Sequence, residues 1–301
     1  MRLRDTGVTP SIVRGDGDHR LAMAIGDGPV SVLDTRSQTF SLFPTPAGCA
    51  FADAHRATLL WNCRSAFGLA TGVTYEIATG AQATLATTAP PGGEATIRGF
   101  SAIGDRFARI DLDGYHFMNA YGYVDRATGA QSYANVQFGQ DRDLDQPGLV
   151  RPLCAGHLEP MVWGGIGLEA GEPVAAGRWT AAQTITDTLD DGWFGRVQIQ
   201  RCGTTRARTI RVCRTVICSE PVLDDRIVAW TEQRKVSPYA SRLVVRQLRS
   251  GRVRRTPWSS PQSLPGRLIL VDHRLYVHEA PPPSPPYELS DGRARLLRAP
   301  V

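Results

Sequence analysis

The stretch VLDDRIVAWTE, residues 222–232, runs from one apolar segment into another through two aspartates and an arginine. Adjacent aspartates do not extend a buried strand. They accept backbone hydrogen bonds in tight turns, so this segment reads as strand, turn, strand. Nearly the same pattern returns as AIGDRFARIDL at 102–112 and as LVDHRLYVHEA at 270–280.

Aligned on its arginine, the motif falls at Arg20, Arg56, Arg106, Arg178, Arg226 and Arg274, at intervals of 36, 50, 72, 48 and 48 residues. A second marker follows each arginine: DTRSQ at 34–38, ATGAQ at 78–82, ATGAQ at 127–131, CGTTR at 202–206, RSGRV at 249–253 and SDGRA at 290–294. Each unit then reads as four strands. A short apolar run enters the first turn, and an arginine-led run such as RIVAWTE leaves it. A third run follows (PVSVLD, RVQIQR, SRLVVRQL), and the second turn leads to a fourth (TFSLFP, ARTIRV, ARLLRA). The segments are β-branched or alternating and bounded by turn residues, with almost no 3.6-residue period.

A four-stranded unit repeated at this spacing resembles a blade of the β-propeller superfamily. The resemblance covers about residues 10–300, and no narrower family is assigned. A four-stranded sheet of this size cannot bury both faces alone, and packing sheets face to face buries them. The expectation is an all-β, single-domain, six-bladed propeller over 1–301. Its blades run at about 10–44, 46–90, 97–138, 172–213, 216–258 and 263–300, with an insertion at 139–171. The count becomes seven if 139–176 forms a degenerate blade. A connection this long is more often functional or clamped than idle.

Residues 193–301 hold 20 Lys+Arg against 8 Asp+Glu, and residues 1–192 hold 14 against 21, so the net charge of +5 conceals a two-sided chain. The basic half peaks in SRLVVRQLRSGRVRR, 241–255. Arg242, Arg246, Arg249, Arg252 and Arg254, with Arg255, are candidates to bind an anionic polymer. Only Tyr239 and Trp258 lie near them, which argues against base stacking and so against nucleic acid. The competing reading is an outer edge strand kept soluble by its charge.

Six cysteines, Cys49, Cys63, Cys154, Cys202, Cys213 and Cys218, permit three disulfides and contain no C-x-x-C pair for zinc. Their pairing stays open, although Cys213 and Cys218 sit at the end of one strand and the start of the next. Disulfides favour an extracellular or cell-envelope location over the cytoplasm. No apolar run reaches the roughly 18 residues of a membrane helix. MRLRDTGVTPSIVRGDGD lacks a signal-peptide core, so the chain is read as made without one or as beginning after its removal.

His19, His55 and His273 each precede a motif arginine, with Asp18 and Asp272 beside two of them. They read as turn residues, because equivalent hairpins stand too far apart for shared ligation. DLDG at 111–114 opens like a calcium loop, but Gly122 occupies the position that needs glutamate. Asp141, Asp143 and Asp145, in DRDLD, are the better calcium candidates, and no other cofactor is expected. GFSAI at 99–103 misses the G-x-S-x-G elbow at Ile103. APPPSPPYE at 280–288 reads as a stiff loop between the second and third strands of the last unit.

These features favour a monomeric, non-catalytic binding module for a protein or an anionic polysaccharide. The alternative is a hydrolase or lyase acting on a polysaccharide or lactone, with a metal at a channel mouth. The first strands of the units (SIV, CAFA, GFSAI, EPVAA, EPVL, LILV) are poor in polar groups, which disfavours catalysis.

Overall fold

A computed structural model describes residues 4–7, 10–16, 18–26, 28–64, 69–88, 95–105, 107–114, 121–134, 174–176, 178–188, 192–201, 204, 207–236, 240–258, 267–279 and 295–299. Among these residues there is no helix, and six antiparallel sheets account for every strand. The architecture is all-β, made of four-stranded meanders of the β-propeller type. The chain groups into two compact units, Ser11–Val150 on the one hand and Met1–Pro10 with Arg151–Val301 on the other.

The unit Ser11–Val150 holds three sheets. The first is β2 (Ile12–Gly15), β3 (Arg20–Ala24), β4 (Val30–Asp34) and β5 (Thr39–Phe43); the second is β6 (Cys49–His55), β7 (Thr58–Arg64), β8 (Ala70–Glu76) and β9 (Gln82–Ala86); the third is β10 (Ala95–Ile103), β11 (Phe107–Gly114), β12 (Tyr121–Asp125) and β13 (Gln131–Ala134). Alternation along β7 explains the packing. Leu59 and Trp61 face the first sheet, in a core with Ala22, Val30 and Val32. Leu60 faces the third, in a core with Phe100, Ile110 and Val124. The middle sheet is therefore apolar on both faces, which a solitary sheet would not be.

The other unit repeats this plan. Its sheets are β14 (Val174–Ala176), β15 (Trp179–Thr188), β16 (Gly192–Arg201) and β17 (Arg208–Cys213); then β18 (Val216–Cys218), β19 (Val222–Leu223), β20 (Ile227–Arg234), β21 (Ser241–Gln247) and β22 (Val253–Arg255); then β23 (Arg267–Val271), β24 (Arg274–Glu279), β25 (Arg295–Ala299) and β1 (Arg4–Asp5). On β20, Val228 and Trp230 join the core shared with β15–β17, while Ile227 and Ala229 join the core shared with β23–β25.

The last sheet corrects one expectation. The sequence places ARLLRA as a fourth strand, yet β25 pairs with β24 on one side and with β1 on the other, Arg4 facing Arg298 and Asp5 facing Leu297. Among the described residues β25 is thus third in its sheet, and the N-terminal segment supplies the outermost strand. The insertion at 139–171, with Asp141, Asp143, Asp145 and Cys154, lies outside the described residues, as do Cys202, Arg106 and the proline-rich 280–288.

The recurring turns are local chemistry. Asp224 Oδ1 accepts from the Arg226 and Ile227 amides at 2.7 and 2.6 Å. In GDGDHR it is Asp16, not Asp18, that does this, for the Asp18 and Arg20 amides at 2.8 and 2.9 Å. In the second marker, Gly80, Gly129 and Gly251 take φ of 72°, 72° and 70°, the left-handed corner that closes these hairpins, and Gln38 takes the same corner at 59°. The Ser37 amide, with Arg36 and His19 adding to it, holds the Asp34 carboxyl below the usual carboxylate range.

Among the described residues two disulfides reinforce the sheets. Cys49–Cys63 crosses β6 to β7, whose residues are register partners. Cys213–Cys218 ties the last strand of one sheet to the first of the next. The loops they close span 14 and 5 residues, so chain entropy assigns them about 3 and about 2 kcal/mol. Urea unfolding should show Cys49→Ser/Cys63→Ser losing the larger amount and Cys213→Ser/Cys218→Ser the smaller. Unchanged midpoints in both would contradict this.

Candidate anion-binding surface

The β21–β22 hairpin and the neighbouring β17 carry the basic cluster, and its arginines divide into two groups. Arg242 belongs to the scaffold. Its Nε and Nη2 donate to Glu232 Oε2 at 2.8 and 2.6 Å, and its guanidinium stacks 4.3 Å from the Trp258 ring centroid. Glu232, fully buried on β20, also meets Arg211 of β17 through Oε1 at 2.6 Å, an ion pair without hydrogen-bond alignment. A buried carboxylate between two guanidiniums is therefore the polar joint between two sheets. Arg234 covers Trp258 as well, at 4.9 Å, so the indole face is taken by cations.

The second group has no such partner. Arg246 is half-buried, and its Nη2 lies 3.2 Å from where a Cβ on Gly251 would stand. Burial, and then the charge of Arg208 on β17, pushes its pKa down. Arg249 and Arg252 are exposed at the hairpin tip, and Arg254 is half-buried on β22. Among the described residues no carboxylate pairs with Arg208, Arg246, Arg249, Arg252 or Arg254. In the unit Ser11–Val150 five arginines do have acids close by: Arg14–Asp53 at 3.6 Å, Arg20–Asp16 at 3.4 Å, Arg56–Asp105 at 3.0 Å, Arg109–Asp111 at 3.1 Å and Arg126–Glu76 at 2.7 Å. Like charges gathered without counter-charge create a positive field that an anion would relieve.

The histidines are engaged separately. His19 is gripped from opposite ring nitrogens by Asp18 and Asp34, at 2.6 and 3.2 Å. His55 reaches Asp105 on the next sheet at 3.0 Å, and Arg56 takes the other oxygen of that carboxylate. His273 reaches back to Asp224 of the neighbouring hairpin at 2.9 Å.

The first strands of the units are more polar than expected, because β2 and β6 run on to include Arg14 and Asp53. These groups do structural work. Asp53 meets Arg14 and accepts from the Ile103 amide at 3.0 Å. Asn62 Oδ1 accepts from the Phe100 amide at 3.0 Å, beside bulges in β10. DLDG lies within β11 rather than in a loop, and Asp111 Oδ1 accepts from Ser101 and Arg109 at 2.7 and 3.1 Å. A pocket of about 350 Å³ beside β8 and β9 is lined by Glu76, Asp105 and Arg126, the same groups that pair with one another or with neighbouring side chains.

No protein-family model matches the chain, and no curated protein matches it in sequence. Solved structures resemble it at low identity. The propeller domain of Cps50 (Swd1) from Myceliophteria thermophila shares 10% identity over 100% of this chain and 99% of that one, with a TM-score of 0.45. BamB from Moraxella catarrhalis shares 15% over 97% and 86%, with a TM-score of 0.39. An oligogalacturonate lyase in complex with manganese shares 10% over 99% and 96%, with a TM-score of 0.41.

Proposed function

We propose that this protein is a non-catalytic binding module whose ligand is an anionic polysaccharide, held along Arg208, Arg246, Arg249, Arg252 and Arg254. The observation that carries this reading is that five guanidiniums gather on one hairpin and its neighbour with no paired carboxylate among the described residues, whereas Arg14, Arg20, Arg56, Arg109 and Arg126 each have one. Guanidiniums spaced along a hairpin suit carboxylate or sulfate groups repeated along a chain. Trp258 is covered by Arg234 and Arg242, so it offers no free face for a base, which favours a polysaccharide over nucleic acid. The acids Asp53 on β6 and Asp111 on β11 are engaged by backbone and side-chain donors, which favours binding over acid–base chemistry. The protein acts as a monomer, and its disulfides suit an extracellular or cell-envelope setting.

The test is a binding panel of carboxylated, sulfated and neutral polysaccharides with duplex DNA as comparator. The charged polysaccharides should bind, and Arg249→Glu/Arg252→Glu should weaken them at least about tenfold, or about 1.4 kcal/mol. Equal binding of the neutral polymer, or a variant with unchanged affinity, would overturn the proposal.

A further inference from the structure

We infer that Asp224, Asp225 and His273 form a zinc site between the β19–β20 and β23–β24 hairpins, independent of the arginine surface. His273 Nδ1 stands 2.9 Å from Asp224 Oδ2 and 3.5 Å from Asp225 Oδ1. The ligand atoms of all three residues lie within 4.8 Å of one another. Tetrahedral zinc with bonds of about 2.0–2.1 Å sets its ligands about 3.3 Å apart, a value that the two distances bracket. One imidazole N–H serves two carboxylates on the same nitrogen only as a lopsided three-centre bond. A cation resolves that conflict by accepting the Nδ1 lone pair and both oxygens, leaving the imidazole proton on Nε2.

The ligands are held from behind. Asp224 Oδ1 accepts from the Arg226 and Ile227 amides, which fixes the carboxylate and turns Oδ2 toward the imidazole. His273 sits in a two-residue turn in which Asp272 and His273 both take positive φ, 46° and 57°, and this turn presents the ring to the neighbouring sheet. Arg226 Nε is 3.9 Å from Asp225 Oδ1, beyond hydrogen-bonding reach, so it lowers the local negative charge without occupying the oxygen. The other two turn histidines, His19 and His55, lack this convergence. Asp18 and Asp34 approach opposite nitrogens of His19, and Arg56 occupies the second oxygen at His55. His273 is 42% exposed and Asp225 59%, so water can complete the coordination shell. Mixed imidazole and carboxylate donors suit zinc better than calcium, which takes six to eight oxygens.

The test is calorimetric titration of the full chain with zinc chloride, beside calcium chloride. One equivalent of zinc should bind saturably. His273→Ala and Asp225→Asn should each weaken it at least tenfold, while His19→Ala leaves it unchanged, with the β-type circular dichroism of every variant retained. Cobalt absorption of tetrahedral type in the parent protein is the second readout and needs no variant. No saturable zinc uptake, preference for calcium, or variants that bind as the parent does would each overturn the assignment.

Discussion

Glu232→Ala is expected to cost about 3 kcal/mol of stability, near the lower end of the penalty for breaking a buried ion pair. Glu232 is fully buried, whereas the Arg211 and Arg242 side chains keep 29% and 22% of their exposure, so the stranded cations retain some water. The loss has three parts. Arg211 and Arg242 then face each other without a counter-charge, a cavity opens on β20, and the contact between β17 and β20 loses its polar joint. Replacing all three residues together by apolar side chains of similar volume should recover much of the loss, because such triads often cost as much in desolvation as they return. Denaturant unfolding of the single and triple variants measures both. A single-variant loss under 1 kcal/mol would show that the joint contributes little.

Gly99→Ala should destabilise by a comparable amount, about 3 kcal/mol, from two separable causes. Gly99 has φ of 146°, a conformation that L residues rarely adopt. A Cβ there would also stand within van der Waals contact of Asn62, 2.6 Å from its Cγ and Oδ1. Asn62 cannot simply withdraw, because its Oδ1 caps the Phe100 amide. Gly99→Ala/Asn62→Gly removes the collision yet leaves the backbone strain and an uncapped amide, so thermal unfolding should show partial recovery. Full recovery would mean that φ is relaxed at no cost.

These two sites mark where reading the sequence stops. The hairpin turns were legible because their chemistry is local: Asp224 and Gly251 act within a few residues of themselves. The strands were legible from alternation, as in SRLVVRQ, where Leu243 and Val245 face one core and Val244 the other. Glu232 looked like the polar end of RIVAWTE, since nothing nearby announces that Arg211 and Arg242 close over it. The two-residue strand Arg4–Asp5 has no periodicity to detect, and its partner lies at the other end of the chain. Arg14 and Asp53 fell just past the apolar runs taken as first strands. The arginine cluster was visible as charge, but its division into paired Arg242 and uncompensated Arg246, Arg249, Arg252 and Arg254 depends on which acids the fold brings near.

That division is the basis of the functional account, and the salt dependence of binding tests it most directly. Titrating a carboxylated polysaccharide at increasing sodium chloride should give an affinity that falls steeply for the parent protein and for Arg20→Ala, whose arginine already has an acid partner. Arg249→Glu/Arg252→Glu should bind weakly at every concentration. Affinity indifferent to salt, or a steeper loss from Arg20→Ala than from the hairpin variant, would contradict the account.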